Sequence, residues 1–159
     1  MPRVAALALL LTAACSLAGT AGAATRPIPF VPVDAPAIGT CDVGSTSAAR
    51  LLLARDAASR AEAAPCLGGT APAGRVLLVL APDSSAAGTT VAVRRVEVVS
   101  IRGQRTLRVT ATFAAPPADA LLAQVLTTPR AAVRLAAGSL PRAWTLVDEA
   151  GSILARGRA

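Results

Sequence analysis

The chain predicts a mostly β fold: a small antiparallel or mixed sheet, sandwich or partial barrel, with one short helix. Three observations predict it. Val76-Leu77-Leu78-Val79-Leu80 is a continuous apolar run of the length expected for a strand buried on both faces. Leu107, Val109, Ala111 and Phe113 alternate with Thr106, Arg108, Thr110 and Thr112, the period of a half-buried strand. Gly- and Pro-rich breaks separate these and the remaining short runs, with no internal repeat and no second domain.

The elements follow in order. Arg3 precedes an apolar stretch from Val4 to Ala18, and Ala21-Gly22-Ala23 offers small residues for cleavage. That is the pattern of a secretory signal peptide, residues 1–23, and the run is too short to span a bilayer. A second outcome is open: Thr12-Ala13-Ala14-Cys15 resembles a bacterial lipobox with Leu11 one place too early. Lipidation of Cys15 would hold the product on a membrane surface. Without residues 1–23 the chain has 136 residues, enough for one domain with a core. Residues 24–48 are rich in Pro, Gly and Ser; Ile28, Phe30, Val31 and Val33 suit a short edge strand or a cover over the core.

Residues 49–159 read as one β-rich domain. RLLLA at 50–54 is a strand, and Asp56 caps a helix over 57–64 that Pro65 ends. Residues 66–74 are a loop, 76–80 the buried strand, and 82–88 another loop. The strand at 90–99 changes phase at Arg94-Arg95, which predicts a bulge or bend. Arg102-Gly103-Gln104 turns the chain into the alternating strand, making a long hairpin. After Pro116-Pro117 come a helical turn near 118–122, a break at Thr127-Thr128-Pro129, and strands at 132–135, 144–148 and 152–155, with Glu149-Ala150-Gly151 as the last turn. Trp144 reads as a core residue, with an interface anchor as the other reading.

The formal net charge is +7, and every basic residue is Arg. Such a protein meets anionic surfaces favourably. Cys41 and Cys66 remain after processing, and an even count in an oxidising compartment predicts one disulfide closing a loop of about 25 residues. The chain has no His, Lys or Tyr, so Ser-His-Asp, Cys-His and Ser-Lys arrangements are excluded. No cluster of carboxylates has metal-ligand spacing and no phosphate-binding glycine pattern is present, so no cofactor is expected and the protein reads as non-enzymatic. Nucleic acid is not an expected partner, because stacking aromatics are lacking and export removes it from reach. Arg94, Arg95, Arg102, Arg105 and Arg108 crowd one hairpin, either as an anion- or partner-binding strip or as a charged edge that discourages strand pairing.

One stretch carries a family resemblance. The buried strand at 76–80 is followed by Ala86-Ala87-Gly88-Thr89 and the strand opening Thr90-Val91-Ala92-Val93. Then come the link Ala114-Ala115-Pro116-Pro117 and Gln124-Val125-Leu126-Thr127-Thr128-Pro129, leading into Ala131-Ala132-Val133-Arg134-Leu135. From residue 49 onward the chain resembles the PrcB-like domain family of bacterial exported proteins. It departs from the family's Gly-Gly-Tyr turn, with Ala87 for the first glycine and Thr89 for the tyrosine. The resemblance implies a strand, a short helix, a long hairpin and closing strands. It also implies an accessory partner of an exported protease or other envelope protein. The candidate contact residues are Ser85, Gly88, Thr89, Gln124, Thr127, Thr128 and Pro129, in the loop 84–89 and the segment 124–129; the other reading is that both are turns the fold requires. The membrane is a partner only if Cys15 is lipidated. Two other functions stay open: a periplasmic or secreted envelope protein that binds anionic surfaces, and a protease inhibitor.

Overall fold

The structure, a computed structural model, describes residues 23–36, 41, 47–86, 88–101, 103–120 and 124–159. Residues 1–22 of the expected signal peptide, with Cys15, and Ala87 and Arg102 lie outside the described residues, as do residues 121 and 122 of the helical turn expected near 118–122; its described part, 118–120, is a turn in which Ala120 N donates to Pro117 O at 3.1 Å.

Eleven strands and one short helix are described: β1 (Ala24–Pro27), β2 (Phe30–Val33), β3 (Arg50–Ala54), α1 (Ala57–Ala63), β4 (Arg75–Leu80), β5 (Ser84–Ala86), β6 (Thr90–Ile101), β7 (Gln104–Ala114), β8 (Gln124–Thr127), β9 (Arg130–Leu135), β10 (Ala143–Val147) and β11 (Ile153–Arg158). They form a five-stranded sheet in the order β1-β6-β7-β10-β11, a four-stranded sheet β2-β9-β4-β3, and a two-stranded ribbon β5-β8. The larger sheet is mixed, because β10 runs parallel to β7. The mostly β, sandwich-like expectation is met, and the sheets do not close into a barrel.

The two larger sheets face each other. Leu77, Val79, Val96, Val98, Leu107, Val109 and Leu146 meet between them. The alternate residues of β4, namely Val76, Leu78 and Leu80, face a second cluster with Cys41, Ala63, Cys66 and Leu67. The four-stranded sheet is therefore covered on both sides, which is why β4 is apolar at every position from Val76 to Leu80 instead of every second one. Each fully buried leucine contributes about 1.5–3 kcal/mol relative to exposure.

Asp56 caps α1 as expected. Its side chain accepts from Ser59 N at 2.9 Å, and Ser59 Oγ accepts from Asp56 N at 3.1 Å. Pro65 does not stop the chain there: α1 passes into a 3-10 helix, Ala64–Leu67, where proline at the first turn lacks only an N–H that the turn leaves unused. The Cys41–Cys66 disulfide, with Cα atoms 4.8 Å apart, ties residue 41 to this layer.

The β6–β7 hairpin is as expected, with a register shift between Val93 and Arg95 where the phase change predicts a bulge. The N-terminal segment does more than cover an edge. β1 pairs with β6 in one sheet and β2 with β9 in the other, so one extended stretch laces both sheets along one side. Ile28 N donates to Val96 O between them, and the Ile28 side chain enters the inter-sheet core. The last strand runs to Arg158, beyond the expected residue 155. There Gly157 lies under the ring of Trp144, which packs on the core while half-buried.

Candidate partner-binding site

The loop expected over 82–88 contains a strand, and the segment at 125–126 belongs to another. β4 and β9 are antiparallel, and their chain continuations pair again: Ser84 opposite Thr127, and Ala86 opposite Gln124. The ribbon is thus an outgrowth of the β4–β9 ladder. Pro82 and Pro129 interrupt it where the two parts meet, since neither can donate to the ladder. Ala81 N donates to Pro129 O at 2.8 Å across the break.

Three side-chain contacts, made by four hydroxyls, lock the lobe. Thr128 Oγ1 donates to Asp83 Oδ1 at 2.7 Å, and Thr127 Oγ1 to Ser84 O at 3.4 Å. Ser84 Oγ and Thr89 Oγ1 stand 3.5 Å apart. Thr127, Thr128 and Pro129 are buried, so these side chains hold the lobe's shape from within. Strand alternation sends the neighbouring Leu126 outward, where it is 56% exposed. Gly88 has φ +101°, a conformation that strains any side chain bearing Cβ, and Thr89 follows it half-buried. Ser85 lies within β5 and Gln124 opens β8, so the structure gathers all the candidate contact residues into one lobe. Both outer edges of the ribbon lack a neighbouring strand among the described residues. Asp83 and Leu126 were not singled out by sequence reasoning. An aspartate one residue after Pro82 is a signal for the first; Leu126 follows Val125 in an apolar pair, and the sequence does not show which of the two faces outward.

Beside the lobe's base, β9 begins with Arg130, whose guanidinium is pushed below its ordinary pKa by burial. A cleft of about 330 Å³ opens from there, lined by Phe30, Val33, Val91, Val93, Ala131 and Val133.

The hairpin arginines do not form one strip. Arg108 Nη2 and Nε lie 2.6 and 2.7 Å from Glu97 Oε1, and Glu97 is only 5% exposed. Arg94 Nε donates to Thr112 Oγ1 at 3.1 Å and stands 3.6 Å from Glu149 Oε1. With Arg95 they line a cavity of about 390 Å³ that also holds Glu97, Asp148 and Glu149, so its charge is balanced. Arg105 pairs with Ser100 in a different row and lines a separate cavity with Arg26. Among the described residues no group of three His, Cys, Asp or Glu side chains is placed to hold a metal ion, and no helix is long and apolar enough to cross a membrane.

Comparison with known families gives one match. Residues 95–136 match the family described as PrcB C-terminal, which supports a PrcB-like assignment. The matched stretch starts beside the β6 bulge and includes the rest of the hairpin, β8 and β9, and so half of the lobe. No curated protein and no solved structure matches the chain.

Proposed function

We propose, taking the PrcB-like match as premise, that this is a non-enzymatic, exported accessory domain that binds a protein partner, an extracytoplasmic protease, through the β5–β8 lobe. The observation that carries the reading is the lobe itself: a locked ribbon whose edges have no neighbouring strand among the described residues, with an outward leucine, continuing from the sandwich. An unpaired strand edge supplies main-chain hydrogen bonds to an extended segment, and an adjacent apolar side chain supplies an anchor. The family name points to a subunit of a protease complex, which agrees with a role that needs no catalytic group of its own. Export rests on the sequence pattern of residues 1–23.

The test is affinity purification of the tagged, exported protein from its own host, with mass spectrometry of what is bound. A secreted protease recovered with the wild type and lost with Leu126→Glu is the expected result. No reproducible exported partner, or equal recovery with both proteins, would sink the reading.

A further inference from the structure

The strand ends opposite the lobe carry a different surface. The β6–β7 turn, the start of β4, the end of β11 and the loop at 136–142 between β9 and β10 all gather there. They bring together Arg26, Arg55, Arg75, Arg105, Arg142 and Arg158. Arg26 and Arg105 line a cavity of about 220 Å³ with Ser139, over a floor that includes Ile28 and Val98. Arg105, Arg142 and Arg158 line an adjoining cavity of about 490 Å³, together with Gln104 and Thr106. No Asp or Glu side chain lines either cavity; the last residue, Ala159, lines the larger one, so three guanidinium groups there face at most one carboxylate.

The charge here is not cancelled as it is around Glu97. Arg55 Nη2 donates to Pro141 O and Arg75 Nη1 to Ala137 O, so two guanidinium groups clamp the loop through neutral carbonyls. Arg55 Nε is buried without a hydrogen-bond partner. None of the six arginines is in an ion pair among the described residues. Burial, and then the like charges of Arg142 and Arg75, lower the pKa of Arg55, with Asp56 opposing. Like charges converging without an ion-pair partner are unfavourable until an anion arrives.

We propose that this arginine-ringed end is a second docking site, whose occupant is an acidic, carboxylate-bearing segment of the partner protein. The inference rests on the reading of the domain as a protein-binding module. Arginine's planar fork suits carboxylates, and the apolar floor between Arg26 and Arg105 accepts a side chain beside them. A glycan is the weaker occupant: Phe30, Phe113 and Trp144 all pack against the core, and none lines these cavities, so no aromatic platform is offered. The site sits at the far end of the strands from the β5–β8 lobe, so one extended partner can engage both ends.

Fluorescence anisotropy with a labelled octaglutamate peptide at low ionic strength tests this. Arg105→Gln/Arg158→Gln is expected to weaken binding about tenfold, from two exposed charge contacts. Arg94→Gln/Arg95→Gln removes the same charge from the balanced face and is expected to change binding less than about twofold. All four side chains are exposed, and the single variant Arg142→Gln, about threefold weaker, keeps the test valid if a double variant misfolds. Equal weakening by both double variants would reduce the effect to net charge and overturn the proposal. So would absent peptide binding, or binding to anionic phospholipid vesicles that depends on Arg105 and Arg158 when peptide binding does not. Undiminished recovery of the protease by Arg105→Gln/Arg158→Gln would overturn the inference and leave the proposed function standing. Peptide binding as expected with no protease recovered by the wild type would support the site and sink the proposed function.

Discussion

Replacing Thr128 by Val isolates what holds the lobe in place. Valine keeps the shape and burial of threonine and removes one donor. The lost bond runs from a buried hydroxyl to the Asp83 carboxylate at 2.7 Å. A hydrogen bond to a charged group contributes about 1.5–3 kcal/mol. Asp83 is only half-buried, so water replaces part of the loss, and valine leaves no buried hydroxyl without a partner. The expected cost is about 1–2 kcal/mol, concentrated on the ribbon because the bond ties its two strands together at the proline break. Local opening is read by native-state hydrogen exchange. Amides of β5 and β8 should exchange about 5–30 times faster in Thr128→Val, while those of β4 and β7 keep their rates. Unchanged exchange in the ribbon would show that the hydroxyl does not lock it. Equal acceleration in β4 and β7 would show that the lobe is part of the global unfolding unit, and either result refutes the reasoning.

Three further outcomes follow from other parts of the molecule. Reducing the Cys41–Cys66 bridge should destabilise the domain by about 3.5 kcal/mol and lower its melting temperature by on the order of 10–15 °C, because the bridge closes a separation of 25 residues; coincident melts with and without reductant would contradict this. Gly157→Ala places a Cβ 2.6 Å from Trp144 Cζ2, so a cost of about 1–3 kcal/mol and a shifted tryptophan emission are expected, and an unshifted spectrum at unchanged stability would refute the contact. The Asp56 carboxyl is held below its ordinary pKa chiefly by the Ser59 backbone N–H and then by the Ser59 hydroxyl. A lowered folded value means that the cap's contribution is complete above about pH 4 and is lost as pH falls through the folded value, which an NMR titration of Asp56 alongside Asp56→Asn would check.

The strands with a strong period were legible without coordinates. The β6–β7 hairpin announced itself through clean alternation and a phase slip, and the slip became the bulge at Val93–Arg95. β4 read as doubly buried because every position from Val76 to Leu80 is apolar, although what covers its second face was not legible. β5 escaped because Ser84-Ser85-Ala86 has no apolar alternation; it is a strand only because the β4–β9 ladder continues into it past two prolines. The continuation of α1 into a 3-10 helix escaped because Pro65 is compatible with both a stop and a first turn.

The candidate site divides in the same way. The residues now in the lobe were picked from two separate segments, and their pairing to one another was visible in neither. The hairpin arginines looked alike in sequence. Only their strand positions separate Arg94 and Arg108, which are balanced by Glu149 and Glu97, from Arg105, which lies among unbalanced arginines.

By itself the sequence determined the fold class, the buried strand, the helix cap, the hairpin and the exclusion of His-, Lys- and Tyr-based chemistry. These depend on the period, the local backbone preference or the mere presence of a residue, all of which neighbours in the chain decide. The tertiary structure decided that residues 24–33 lace two sheets, that two distant segments form one lobe, and that six arginines from six parts of the chain meet at one end. These depend on contacts between residues far apart in sequence, where the deciding quantity is the shared burial and the uncancelled charge that exist only once the sheets have packed.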